Sequence, residues 1–573
     1  MLIATALTMG LPTGLAVGGA LAALVSGQGW RWRSSGWLRA VLDLIRDPHQ
    51  PGRAFGHHDT DPVLWWVVTS IVELVLIGIL CVVTVYGASL LRPTSPLATK
   101  RQLRRAVGES AARTRAARSR PSLAGREKRL PMSEVAVSLG RSAAHRVQLY
   151  GQHEDSEIAM VGSRLGKTIR RVIPLVLDSP GPVVTTSTKG DVLAVTVGVR
   201  EQLGPVHVFD PEDVTGWPNR LRWNPISGCE NPDEAIRRAR SLVAARPLDG
   251  TVTNAGFFTD SAARVLRAWL HAAALGGRTM RDVLAWSAQW ADDEPISLLH
   301  ERSPTSAHWA GALRDLVVNP ASEMLGGIAQ TLHLVLDPLN SPSLLDACSP
   351  PPGQEFDVEG FLRSKGTLYV VSEGGVGSAG PFTSALVTHI HHQAKRLATR
   401  YPDGRLDPPL SCVWDEVANI AAPENLGQLV SDSGSWGIRM FVICHALVQL
   451  EKRWGREQAR EVWNAATTRL IFGGVADADT LEDLSRLVGE IKVLQTSTST
   501  GEFRRTRSTS YSWERALRIE QLRTLPEGQA LLLYRNLPAV VVELDAWFEL
   551  PEARRLNELK NEAERRMGRH TKP

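Results

Sequence analysis

Cysteine is scarce in this 573-residue chain. The five residues, Cys81, Cys229, Cys348, Cys412 and Cys444, are scattered and form no C-x-x-C pair. A disulfide framework and a thiolate zinc site are therefore set aside, and the soluble bulk of the chain reads as cytosolic. An excess of one charge is lacking too. Sixty-five Lys and Arg face 60 Asp and Glu, for a formal net charge of +5. The chain as a whole is no polycation, and any basic surface must be local. No basic n-region precedes the first apolar run, which excludes a cleaved secretory signal in favour of a retained membrane helix. His389, His391 and His392 fall on one expected helix, but no acid or Cys cluster accompanies them, so they are not read as metal ligands.

What is present begins with two apolar spans. Leu2 to Val25 and Val63 to Leu91 are each long enough to cross a bilayer. Gly14 and Gly18 form a G-x-x-x-G, a pattern that lets helices approach closely; loose packing of small residues is the preferred reading. Glu73 lies within the second span, where a carboxylate is a pairing or functional candidate. Trp30 to Asp47, with Trp30, Trp32 and Trp37, suits an interfacial amphipathic helix. Arg92 to Arg129 then carries about a dozen Arg and Lys against Glu109 and Glu127, which places that side, and both termini, in the cytoplasm. Contact with anionic lipid is preferred for this stretch over contact with nucleic acid.

The expected organisation follows. Residues 1–91 form a membrane anchor, and 92–134 a basic juxtamembrane linker. Residues 135–231 and 351–550 alternate strands and helices in the manner of a parallel α/β sheet. Residues 232–350 lose the strand pattern and read as an all-helical insertion. Gly501 to Ser512 reads as a polar loop, Ala530 to Tyr534 and Ala539 to Leu544 as a hairpin, and 551–573 as a charged helix or tail.

The chemistry is carried by two stretches. The first runs Ile158-Ala159-Met160-Val161-Gly162-Ser163-Arg164-Leu165-Gly166-Lys167-Thr168: apolar strand, glycine-bounded loop, Lys-Thr, helix. Backbone N–H groups and a helix N-terminus make such a loop a phosphate cradle. Gly162, Ser163, Arg164, Leu165, Gly166, Lys167 and Thr168 would line it. Lys167 would reach the β/γ-phosphates of ATP, and the Thr168 hydroxyl would sit on Mg2+. The loop is one residue shorter than G-x-x-x-x-G-K-[ST]. The second stretch, Cys412-Val413-Trp414-Asp415-Glu416, is an apolar strand ending in two acids. Asp415 would hold Mg2+ and Glu416 would act as general base. His445, at the tip of Ile438 to Cys444, is placed to sense the γ-phosphate. Arg439 and Arg469 are candidates for an arginine acting in a neighbouring subunit.

Together these motifs resemble the TraG/TraD-type coupling-protein ATPases of bacterial conjugation and type IV secretion. Gly162 to Thr168 is similar to the shortened G-P-R-x-G-K-T loop of actinobacterial members, and Thr188-Lys189-Gly190-Asp191 to the family's P-K-G-[ED]. Trp223-Asn224-Pro225-Ile226 resembles N-P-[LI]. Trp414-Asp415-Glu416-Val417-Ala418-Asn419-Ile420 resembles L-D-E-[FV]-A-N-[IL]. His445-Ala446-Leu447-Val448-Gln449-Leu450 stands where the family has Q-S-L-x-Q-L, and Arg453-Trp454-Gly455 is similar to R-[YW]-G. The resemblance implies a RecA-like P-loop ATPase, often hexameric, at the bacterial inner membrane. It would recruit DNA, single-stranded and attached to a relaxase, and drive it into a type IV secretion channel. An FtsK-like duplex translocase, a protein-only secretion motor and a non-hydrolysing docking receptor are the alternatives.

Overall fold

The computed structural model describes residues 2–30, 37–90, 96–162, 164–247, 254–303, 306–318, 322–375, 378–501 and 504–569. The chain divides into two compact units, 1–94 with 492–495, and 95–491 with 496–573.

In the first unit, α1 (Leu2–Val25) packs along α2 (Pro62–Leu90). One stretch among the described residues, Pro62–Val83, is long and apolar enough to cross a membrane; in α1 the described apolar part is the shorter Thr13–Val25. Of the expected interfacial helix, Trp37–Arg46 is helical, and Trp32 lies outside the described residues. The glycines of α1 face α2 directly. A Cβ on Gly14 would fall 2.4 Å from Glu73 Oε1, and one on Gly18 2.6 Å from Thr69 Cα. Loose packing is thus the wrong reading of G-x-x-x-G here. The missing side chains let the α2 ridge of Trp65, Thr69 and Glu73, spaced four apart on one helix face, seat against α1.

The second unit is built on a large sheet. Its strands are β1 (Val137–Ser142), β2 (Gln148–Gly151), β3 (Glu157–Met160), β4 (Val183–Ser187), β5 (Val206–Phe209), β6 (Thr367–Val371), β7 (Leu410–Asp415), β8 (Ile438–Cys444), β9 (Thr468–Phe472), β12 (Gln529–Tyr534) and β13 (Val540–Glu543). These 11 strands lie in the order β2-β1-β13-β12-β9-β3-β8-β7-β4-β6-β5. From β9 to β5 all neighbours are parallel. From β9 outward, β12, β13, β1 and β2 run antiparallel. The parallel strands are buried on both faces, and period-2 alternation sorts them. Ile158, Met160, Val184, Trp414, Val442 and Cys444 enter one core. Ala159, Val161, Val183, Val413, Phe441 and Ile443 enter the other.

Helices cover both faces. On the second core lie α3 (Asp191–Arg200) and, late in the chain, a helix over Ala553–Arg566 that packs on it. The first core is shared with helices between β5 and β6: α4 (Pro232–Ala244), then Ala255–Gly276, Met280–Ala288, Glu294–Arg302, Ala307–Val318, Ser322–Leu336 and Pro342–Ala347. Beyond β6 come α5 (Gly380–Ala398) and α6 (Leu426–Asp432).

Two further expectations change. Apart from residues 502 and 503, which lie outside the described residues, Gly501 to Ser512 is no loop. It belongs to β10 (Glu490–Gly501) and β11 (Arg504–Arg515), which pair as a separate two-stranded sheet. The basic stretch after α2 is also more than a tether. Lys100–Val107 and Glu109–Ser119 are helices that bury Leu103, Val107, Ala112 and Ala116. Arg120 joins Glu134 at 2.6 Å and Asp407 at 3.0 Å, so part of this basic charge is consumed within the fold.

Candidate functional site

The sheet order decides which residues meet. β8 lies between β3 and β7, and the register sets Ala159 and Asp415 both opposite Ile443. Three parallel strands therefore end level. The glycine turn after β3, His445 after β8 and the acids at the tip of β7 converge at one edge, where α/β sheets present their functional groups.

Chain geometry supports the turn. Gly166 has φ +81° and Arg164 φ +62°, left-handed conformations natural to glycine and costly for arginine. Gly162 closes against Gly474, whose backbone would lie 2.8 Å from any added Cβ. Ser163 lies outside the described residues. The helix after Lys167 begins with a π-turn, Thr168–Val172, before the α-helical Ile173–Leu177. Ile173 N–H donates to Thr168 O, five residues back. Pro174, next in line, has no N–H to give, so the wide turn falls where an α-helical ladder would break anyway. Arg171 anchors this turn through a buried ion pair with Glu157 at the start of β3.

The acids and the lysine are in direct contact. Lys167 Nζ stands 3.1 Å from Asp415 Oδ1 and 2.7 Å from Glu416 Oε1. Burial works against the Lys167 ammonium, but the two carboxylates overcome it and raise its pKa. Burial pushes Asp415 up to about 6, against the pull of Lys167 and with the repulsion of Glu416 and Asp191. Glu416 is also opposed by burial, yet Lys167, His445 and Asn419 bring it below the usual carboxylate range. The pair is thus differentiated, with Glu416 the more firmly ionised acid. Glu416 sits at φ +52°, turning its side chain off the strand direction. Thr186 Oγ1 donates to Asp415 O at 2.7 Å and fixes the strand tip.

His445 Nδ1–H donates to Val161 O at 3.0 Å, which leaves Nε2 facing Glu416 Oε1 at 3.8 Å. His445 N–H donates to Gln449 Oε1 at 3.0 Å. The histidine therefore links the strand feeding the glycine turn to the second acid. Thr186, Asn419, Gln449 and Gly474 were not singled out for a role in the sequence. Asn419 and Gln449 lie within quoted motifs, which was the available signal.

Of the two arginines considered for action in trans, the structure removes Arg439. Arg439 is fully buried, stacks 4.0 Å from the Phe441 ring centroid and donates to Asp155 O; burial lowers its pKa to about 9. It serves its own core. Arg469 is half-buried and donates to Trp463 O and Asn464 O. Thr188 to Asp191 leads into α3, whose N-cap residue is Gly190, with Lys189 exposed. Among the described residues no group of three or more His, Cys, Asp or Glu is arranged to hold a metal ion.

Residues 138–570 match the model of the type IV secretory system conjugative DNA transfer proteins. The chain belongs to that family. Within it, the conjugal transfer protein TraG of Agrobacterium fabrum strain C58 is 24% identical over 370 residues, covering 62% of this chain and 54% of TraG. The chain thus spans about half the length of that relative. The bacterial conjugative coupling protein TrwBdeltaN70 shares the fold, with a TM-score of 0.53, 18% identity and coverage of 71% of this chain and 88% of that one. A structure of TrwB in complex with ADP and Mg2+ superposes with a TM-score of 0.50 at 17% identity, covering 69% of this chain and 85% of that one. At such identities the likeness is one of fold: a RecA-like α/β domain.

Proposed function

We propose that this family member is a membrane-anchored ATPase coupling protein, which recruits a DNA–protein substrate and drives it into a type IV secretion channel. The observation that carries the reading is the single contact set of Lys167, Asp415 and Glu416 at the edge of a TrwB-like sheet. In this reading α1 and α2 both span the bacterial inner membrane, the second unit is cytoplasmic, and copies assemble as a hexamer.

The residues present fit a magnesium nucleotide. The buried Asp415 carboxylate has a lysine as its counter-charge, and that lysine is the one whose chemistry suits phosphate. Lys167 is shared between the two acids. Phosphate oxygens entering the turn between Gly162 and Thr168 give Lys167 a competing anion and release the acids. Magnesium, when bound, would be held by Thr168 and Asp415 and would neutralise phosphate charge. Glu416, ionised and aimed by its left-handed backbone, then accepts the proton of an attacking water. His445 holds Glu416 in relation to β3, so that a change at the glycine turn is felt at the base.

The test is ATP hydrolysis by the full chain in detergent, alone and with single- or double-stranded DNA. Stimulation by single strands supports a conjugative motor. Stimulation by duplex alone would move the reading to a duplex translocase. Tight nucleotide binding with no turnover under any condition would replace the motor with a docking receptor.

A further inference from the structure

The three histidines of α5 lead to a second site. Between α4, α5 and α6 lies a cavity of about 310 Å3, at the lower end of the range for small-molecule pockets. It lies among helices away from the glycine turn, and none of Lys167, Asp415, Glu416 or His445 lines it.

One lining residue, Arg238, is backed by motif residues. Arg238 is buried, stacks 4.8 Å from the Trp223 ring centroid and donates to Pro225 O at 2.5 Å. Its other Nη lies 2.9 Å from His389 Nδ1. A guanidinium only donates, so His389 accepts at Nδ1 and carries its proton on Nε2. His391 is spent on Ser433, at 2.7 Å. Burial and the nearby cations hold His389 and His391 neutral, at about 2 and about 3.

The carboxylates do not balance the walls. Glu234 already faces Arg237 at 2.8 Å, Arg396 at 3.1 Å and His392 at 3.7 Å. Glu424 is exposed at the rim. Arg240 and Lys395 also line the cavity, and among the described residues neither joins a carboxylate in an ion pair; Lys395 stands 5.4 Å from the Trp436 ring centroid. Two hydroxyls complete the wall, Ser241 Oγ and Thr388 Oγ1. Both are buried with no hydrogen-bond partner, and Ser241 is only 6% exposed. An unmet buried polar group costs about 1–3 kcal/mol.

Four cations against two carboxylates, with two hydroxyls and an imidazole N–H, thus line one space, and Arg240 and Lys395 are the cations with no carboxylate partner among the described residues. A metal ion is excluded by this charge. A single carboxylate offers about four lone-pair sites, fewer than these groups can fill. We propose that the cavity binds a small phosphorylated ligand, its phosphate held by Arg240, Lys395, Ser241 and Thr388. Because α6 follows β7 through the short helix Val417–Ile420, an occupant would clamp the segment running out from the acids.

Calorimetric titration tests this on the full chain in detergent, with ADP and Mg2+ in excess to fill the glycine turn. The probes are inorganic phosphate and ribose 5-phosphate. One binding event is expected, tighter for the sugar phosphate. Arg240→Ala and Lys395→Ala should each weaken it about tenfold or more, the scale of a charge-assisted hydrogen bond. Lys395→Arg should retain most of it, and Ser241→Ala should weaken it less. ADP affinity measured separately must be unchanged in every variant, which shows that the fold is intact. No heat from either probe up to millimolar concentration, or binding indifferent to both cation variants, overturns the proposal.

Discussion

Replacing Lys167 by Met tests the site before any nucleotide is added. Asp415 Oδ1 and Glu416 Oε1 touch the same Nζ, at 3.1 and 2.7 Å, so they lie within about 6 Å of each other. All three side chains are mostly buried, at 15%, 6% and 21% exposed. Without the ammonium Asp415 loses an attraction of about 5 kcal/mol at 3.1 Å and an effective dielectric of about 20, which water entering the emptied space cuts to about 3 kcal/mol. That is about two pK units. Asp415 already titrates near 6 with Lys167 in place, so in the variant one proton should be retained to about pH 8. The sign follows from linkage. An acid whose folded pKa lies above its unfolded value favours the fold at low pH, and that advantage is lost as pH rises toward the folded value. Lys167→Met should therefore be close to wild type in denaturant midpoint at pH 5. It should fall progressively behind between pH 6 and 8, by about 3 kcal/mol in all. A deficit that is the same at pH 5 and pH 8 would mean that the acids do not share this lysine, and the site would have to be redrawn.

Other outcomes follow from the same geometry. Glu416→Gln should lower ATP turnover by about 10²–10⁴-fold with ADP affinity retained, and His445→Ala should lower turnover while His445→Gln restores part of it; steady-state kinetics beside nucleotide titration separates the effects. His391, buried and held near 3, is neutral in the fold, so the unfolded chain takes up its proton below about pH 6.5 and stability falls as pH drops. The loss should be about 2 kcal/mol between pH 6.5 and 5, and denaturant titration of His391→Gln should show a shallower slope. Gly18→Val should destabilise the α1–α2 pair by about 1–3 kcal/mol through overpacking against Thr69, read as a lower melting midpoint in detergent. Gly78→Val, where an added Cβ meets nothing within 4 Å, is the control that should leave the midpoint unchanged.

Much of the sheet could be read from the chain because its strands are short apolar runs set between turn residues, as in Val183 to Ser187 and Leu410 to Asp415. The two nucleotide motifs were legible for the same reason, since each hangs on such a run. What escaped was non-local. From Thr496 to Ser512 the chain offers no apolar alternation of that kind. The described part of that stretch runs through β10 and β11, polar in sequence and paired with each other. What Glu73 packs against is a glycine, whose only signal is an absent side chain. The burial of Arg439 could not be inferred from a charged residue in a strand sequence, because the carbonyl that receives it lies elsewhere in the chain.

Strand β8 contributes no charge to the chemistry, yet it sets the spacing between the two motifs it separates. A slip of one position would send Phe441 and Ile443 to the opposite layer and expel Met440 and Val442 from theirs. The alignment of lysine, acids and histidine is thus inherited from the sorting of greasy side chains below. Selection on the reactive tip is free to try a different residue at 445, as this chain has done with histidine, because the ruler that places it is made of something else.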